Sequence, residues 1–277
     1  MMHHTALASA RSFLFVPGNR PERFLKAIDS GADVVIVDLE DSVPLHGKDA
    51  ARSRVCQALP TLPAHACVVV RINSPETAIG LQDVQALAAC PQLAGLMVPK
   101  CESASTLQIV SSVLPGLTLL PIIESAAGYL ALSHIALAPN VSRLVVGHID
   151  FLADTGMVCS PDQRELDTLR FQVTMCTRAV QLAAAVDGVT VSVDDEQALR
   201  ADTERAVRFG MGGKLCIHPR QVQGVHAAFK PSAAEEDWAQ RVLAAMAASG
   251  GSAVQLDGKM IDAPVLLQAQ RILARVR

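Results

Sequence analysis

Asp33-Val34-Val35-Ile36-Val37-Asp38-Leu39-Glu40-Asp41 sets the architecture. Four consecutive β-branched apolar residues run from Val34 to Val37, and acids follow at once. An alternating pattern marks a strand with one wet face; an unbroken one marks a strand covered on both faces, as in a parallel sheet. The same pattern recurs at Ser12–Val16, Ala66–Val70, Ala94–Val98, Leu117–Ile123, Arg143–Val146, Gly188–Val193 and Gly213–Ile217. Helical stretches separate these runs: Pro21–Ser30, Asp49–Leu59, Gly80–Ala89, Ala104–Val113, Ala127–Ala138, Arg164–Ala185 and Asp195–Phe209. Strands alternating with helices predict βα units around a parallel sheet. Eight strands in a chain of 277 residues predict an α/β fold of the (β/α)8, TIM-type kind, whose usual size is about 250 residues. The competing doubly wound sheet is disfavoured: the first turn, Pro17-Gly18-Asn19-Arg20-Pro21, lacks GxGxxG, and no GxxxxGK[ST] occurs.

Two further helical blocks follow the last strand, Ser232–Ala248 and Pro264–Arg277. Ser249-Gly250-Gly251-Ser252 between them reads as a flexible hinge. The expected organisation is therefore a barrel over 1–248 and a C-terminal lid and helix over 249–277.

Composition excludes several function classes. Half the residues are hydrophobic, so a sizeable core forms and disorder is excluded as the main state. A net charge of −3 and 3% aromatic residues argue against a nucleic-acid binder. The apolar runs are too short to cross a membrane, and no secretory signal is read at the N-terminus. The seven cysteines form no CxxC pair, which fits reduced thiols in a cytoplasmic protein.

In a barrel of this kind the active site lies at the C-terminal ends of the strands. There the chain places Asp38, Glu40 and Asp41, then Arg71 and Asn73, Lys100, Glu124, His148 and Asp150, and His218. Buried charge is costly unless paired, so a core has no use for this arrangement. Glu124 and Asp150 end consecutive strands and suit a hard, oxygen-seeking cation, with Mg²⁺ the best fit. The competing reading is a ring of salt bridges with Arg71 and Lys100. Arg71 offers a planar fork for a substrate carboxylate or a developing oxyanion, or a structural partner for Asp38 or Glu40. His148, two residues before Asp150 on the expected strand, points to the same side and faces the pocket. His218 caps the last strand or touches a ligand.

Taken together, Arg11–Asn19 (RSFLFVPGN), Asp38–Val43 (DLEDSV), Val70–Asn73 (VRIN), Pro99-Lys100, Pro121–Gly128 (PIIESAAG), Gly213-Lys214 with Ile217-His218-Pro219, and Gly258–Pro264 (GKMIDAP) resemble the citrate lyase β-subunit-like family of the wider HpcH/HpaI aldolase group. The resemblance runs through the whole chain in order. It implies a TIM-type barrel that cleaves or forms a C–C bond in a 3-hydroxyacyl thioester such as citramalyl-, malyl- or citryl-CoA. Mg²⁺ serves as cofactor, and the products are a 2-keto acid and an acyl-CoA. It matches Glu124 and Asp150 to the metal ligands, Glu124 and Arg71 to substrate binding, and Glu40 and Asp41 to an acidic pair behind the metal. It matches His218 to contact with the thioester carrier. It matches Asp262 to an acid/base that reaches a neighbouring subunit's site, which implies a homo-oligomer, a trimer or a multiple of one. Many members of the group carry a small residue where this chain has His148, so His148 bears on which hydroxy acid is accepted. The alternatives are the β subunit of a multi-subunit citrate lyase acting on a carrier-bound thioester, a pyruvate-type aldolase, and a non-catalytic acyl-CoA-binding barrel.

Overall fold

The computed structural model describes residues 2–90 and 92–276. Its first compact unit, residues 1–225, is built on a closed barrel of eight parallel strands. These are β1 (Ser12–Pro17), β2 (Val34–Asp38), β3 (Val68–Arg71), β4 (Gly95–Val98), β5 (Leu119–Ile123), β6 (Val145–Val146), β7 (Val186–Asp187) and β8 (Gly213–Cys216). Each pairs with the next, and β1 closes onto β8 through Ser12 opposite Lys214.

Side-chain alternation along these strands explains both the core and the site. Phe13, Ile36, Val69, Leu120, Ile122, Val145, Val186 and Leu215 form one buried cluster. Two residues beyond Ile36, Val69 and Ile122 stand Asp38, Arg71 and Glu124, so the period of two carries these charged groups to the same face at the strand ends. Arg143 closes the opposite end. Its fully buried guanidinium donates to the carbonyls of Leu7 (3.0 Å), Ala10 (2.6 Å) and Ala184 (2.5 Å) and lies over the Phe13 ring. The first two of these acceptors follow from the helix Met2–Ser9, whose last carbonyls lack intrahelical partners.

The seventh strand differs from its expected position. The residues Gly188–Val193 carry the β-branched pattern, yet they form the loop beyond β7, and the expected helix Arg164–Ala185 ends at Ala179. Gln181 takes a left-handed backbone (φ 59°), and Ala183 joins the sheet side by donating to the Ser142 carbonyl at 3.1 Å. The Leu-Ala-Ala-Ala run has high helix propensity, but the sheet captures it. The loop's own carbonyls are met by side chains instead. Lys214 Nζ donates to Gly188 (2.8 Å) and Gln221 Nε2 to Thr190 (2.9 Å).

The second compact unit is residues 226–277 rather than the expected 249–277. The helix Ala233–Ala248 packs with the C-terminal helix Ala263–Leu273, and Ala239, Val242, Met246, Ile261, Ala269 and Ile272 make its core. A hairpin of Val254–Leu256 and Lys259–Ile261 joins the two helices. Ser249–Ser252 is thus a helix-terminating turn inside this unit, not a hinge between units: Gly250 and Gly251 take positive φ, and the Gly251 N–H returns to Met246 O at 3.0 Å. Among the described residues no helix is long and apolar enough to cross a membrane.

Candidate active site

A cavity of about 450 Å³ opens at the C-terminal ends of the strands. Its lining includes the charged Asp38, Asp41, Arg71, Glu124 and Asp150, the apolar Phe15, Ile122, Val146, Val189 and Leu215, and His148.

Arg71 is the best-anchored group. It stands directly opposite Asp38 in the β2–β3 register. Its Nε and Nη2 donate to the two Asp38 carboxylate oxygens at 2.7 and 2.8 Å, and its guanidinium lies 4.8 Å from the Phe15 ring centroid. Of the two readings of this fork, substrate or structural partner, Asp38 fills it. Nη1 remains, 3.1 Å from both Glu40 Oε2 and Asp41 Oδ2. Burial pulls the Asp38 carboxyl up, but the Arg71 hydrogen bonds and charge hold it below its usual value. The loop carrying these acids is pinned from behind: Lys48 Nζ donates to the carbonyls of Leu39 (2.8 Å) and Glu40 (2.6 Å), and Asn73 Nδ2 to that of Leu39 (3.0 Å).

Glu124 is 4% exposed, and its Oε1 accepts the Lys100 backbone N–H at 2.5 Å. Lys100 aims that N–H from a left-handed conformation (φ 48°), uncommon for a residue with a side chain, while its Nζ bridges to Glu40 at 2.5 Å. Burial, then the charges of Glu40 and Asp150, push the Glu124 carboxyl up to about 8. Glu124 and Asp150 both line the cavity, a pair of carboxylates that suits a cation. Gly147 leaves room for the Glu124 side chain: a Cβ there would sit 2.6 Å from Glu124 Oε2. Among the described residues no group of three or more His, Cys, Asp or Glu side chains converges as a metal cage. One or two carboxylates completed by water and substrate oxygens is the pattern Mg²⁺ takes.

His148 reaches the cavity by another route than expected. Strand β6 stops at Val146, and His148 and Asp150 both lie in the first turn of the helix His148–Thr155, where residues two apart diverge by about 200°. The imidazole is 4% exposed, and burial, before any charged neighbour, pushes it down to about 4, so it is neutral at pH 7.

The family of the chain follows from comparison with known proteins. Residues 11–219 match the family model of the HpcH/HpaI aldolase/citrate lyase proteins. The chain belongs to that family. Among HpcH/HpaI relatives it is 36% identical to a citrate lyase subunit beta-like protein of Deinococcus radiodurans, over 96% of this chain and 97% of that one. It is 33% identical to a (3S)-malyl-CoA thioesterase of Cereibacter sphaeroides, over 96% and 94%. Its fold superposes with a TM-score of 0.86 on protein CitE from Mycobacterium tuberculosis in complex with magnesium, acetoacetate and coenzyme A, at 33% identity over 97% and 99% of the two chains.

Of the residues singled out from sequence, the HpcH/HpaI barrel brings Arg71, Glu124, Asp150, His148 and Asp41 to one cavity. Glu40 lies behind them, bridging Arg71 and Lys100. His218 is not among the lining residues: its Nδ1 accepts the Arg220 N–H at 3.2 Å at the start of the helix Arg220–Phe229, and Ile217 faces the cavity instead. Asp262 lies in the second unit, where its Oδ1 accepts the Val265 N–H at 3.3 Å and caps the last helix. The sequence marks Asp38 as a strand-end acid and an alternative partner of Arg71, which it is, and Lys100 only as a salt-bridge partner. The strand-end position was a signal for both; the left-handed backbone of Lys100 had none.

Proposed function

We propose that this chain is a Mg²⁺-dependent carbon–carbon lyase that cleaves, or forms, a 3-hydroxyacyl-CoA thioester, with a 2-keto acid and an acyl-CoA as products. The observation that carries this reading is the meeting of Glu124 and Asp150 with Arg71 at one cavity, in a family of aldolases and citrate lyases. Glu124 and Asp150 would hold the metal. Bound there, Mg²⁺ would supply positive charge that eases transfer of the substrate's hydroxyl proton to a base. Arg71, held rigid by Asp38, presents Nη1 to the charge that develops on the thioester oxygen as the C–C bond breaks. Asp41 is more than half exposed and shares that edge, so a substrate anion can displace it; Glu40 is buried and stays. Lys100 fixes Glu124 through its backbone N–H. Asp262 from a neighbouring copy moves a proton to or from the enolate carbon, so the active assembly is a homo-oligomer, a trimer or a multiple of one. This role requires Asp262 to leave its helix cap or to share its carboxylate with it.

The relative described as a thioesterase defines the competing outcome, hydrolysis of the thioester without C–C cleavage. The test is to incubate the purified chain and Mg²⁺ with malyl-, citramalyl- and citryl-CoA and identify products by mass spectrometry. A shortened acyl-CoA supports the lyase reading. Intact hydroxy acid with free CoA refutes it. Turnover only on a carrier-protein thioester assigns the chain to a multi-subunit citrate lyase instead.

A further inference from the structure

His148 has no part in the proposed bond cleavage, yet it is the one imidazole lining the cavity among the described residues. The cavity lining also includes the apolar Ile122, Val146, Val189 and Leu215, and the charged groups that act on the ring are the buried Asp187, Lys214, Arg170 and Asp202. No side chain or backbone group pairs with its buried Nδ1. That atom is pressed against the backbone of Gly188, where an added Cβ would come within 2.1 Å of it. An N–H aimed at this carbon would collide with it, whereas a lone pair accepts the contact. The ring proton therefore belongs on Nε2, which makes His148 a neutral donor at the cavity.

Once a ligand excludes water from such a donor, a ligand that satisfies it is favoured over an isostere that does not. We propose that His148 is a specificity-determining residue whose Nε2–H donates to an oxygen on the keto acid's substituent, so that the site selects keto acids bearing oxygen at C3 over those bearing only carbon and hydrogen. This rests on the keto-acid reading above and deepens it: Glu124, Asp150 and Arg71 serve the part common to all such substrates, and His148 reads the part that differs. Gly188 is the positioning residue that makes room for the ring.

The test uses two keto acids of nearly equal size, hydroxypyruvate and 2-oxobutyrate, which exchange a hydroxyl for a methyl, with pyruvate as reference. Binding to the intact protein is measured by calorimetry with Mg²⁺ present. The expected result is about tenfold tighter binding of hydroxypyruvate than of 2-oxobutyrate, the worth of one net hydrogen bond. His148→Phe should remove the preference, and His148→Gln, which keeps an N–H, should restore part of it. Gly188→Ala should also lose the preference with the imidazole still present, because the new Cβ displaces the ring. Equal binding of the two keto acids by the native protein, or an unchanged ratio in His148→Phe, overturns the proposal. Failure of the native protein to bind pyruvate at all with Mg²⁺ present overturns the keto-acid reading and this inference with it.

Discussion

Replacing Asp38 by Asn separates an Arg71 held in place from one free to move. Asp38 is 2% exposed and accepts two hydrogen bonds from the guanidinium, at 2.7 and 2.8 Å. It also accepts the backbone N–H groups of Glu40 (2.9 Å) and Ser42 (3.0 Å). An amide keeps the shape but turns an NH₂ toward one of the guanidinium nitrogens. One charge-assisted bond, worth about 1.5–3 kcal/mol, and one backbone N–H bond, worth about 1 kcal/mol, are lost, and two buried donors are left facing a donor. Glu40 and Asp41 still neutralise Nη1, so the cost stays short of that of an uncompensated buried charge. The expected destabilisation is about 3 kcal/mol, or about 6–12 °C in Tm at about 2–4 °C per kcal/mol for a unit of this size. The pH dependence has a defined sign. Although burial raises it, the Asp38 pKa is held below its ordinary 3.8 by Arg71. A depressed carboxyl contributes its stability in full above the unfolded value and loses it as pH falls through the folded one. The gap between native protein and Asp38→Asn should therefore be constant at neutral pH and narrow below about pH 3.8, the ordinary value. Scanning calorimetry of both proteins across pH measures this. A Tm within about 2 °C of native at pH 7 would refute the anchoring argument.

Asp150→Asn should abolish Mg²⁺ binding and turnover with the fold intact, and full activity after chelation would show that no metal is needed. Arg71→Lys keeps the charge but cannot span both Asp38 oxygens, so kcat/KM should fall at least a hundredfold; near-native kcat/KM would reduce Arg71 to an ion-pair partner. Arg143→Met strands the carbonyls of Leu7, Ala10 and Ala184 in the barrel floor and should cost about 3–5 kcal/mol in chemical denaturation without touching the site; a cost under about 1 kcal/mol would show that water or relaxation meets those carbonyls. Mixing Asp262→Asn with Glu124→Ala protein under verified subunit exchange should restore activity if sites are shared between copies, and no recovery refutes sharing.

The strand-end charges were legible because a parallel barrel covers its strands on both faces and leaves ionisable groups one place to go. Val34–Val37 followed by Asp38, and Pro121–Ile123 followed by Glu124, carry that signal in single short segments. What failed was local pattern where tertiary contacts decide. Strand β7 is two residues long, and its β-branched continuation is loop because Lys214 and Gln221 meet its carbonyls. His148 shares a face with Asp150 only if β6 continues past its apolar run; the strand ends with that run at Val146, so the period of two no longer applies. The turn at Gly250 and Gly251 read as a hinge because glycine marks helix ends and flexible linkers alike; only packing of Val242 and Met246 with Ala269 and Ile272 tells them apart.

The central claim is that the bond broken joins two carbons rather than carbon and sulfur. Stoichiometry on one hydroxyacyl-CoA substrate decides it directly, with keto acid trapped as its phenylhydrazone and free thiol titrated in the same samples. The account predicts one keto acid formed per thioester consumed, no free thiol, and no reaction in Asp150→Asn. One thiol released per substrate with no keto acid would contradict it.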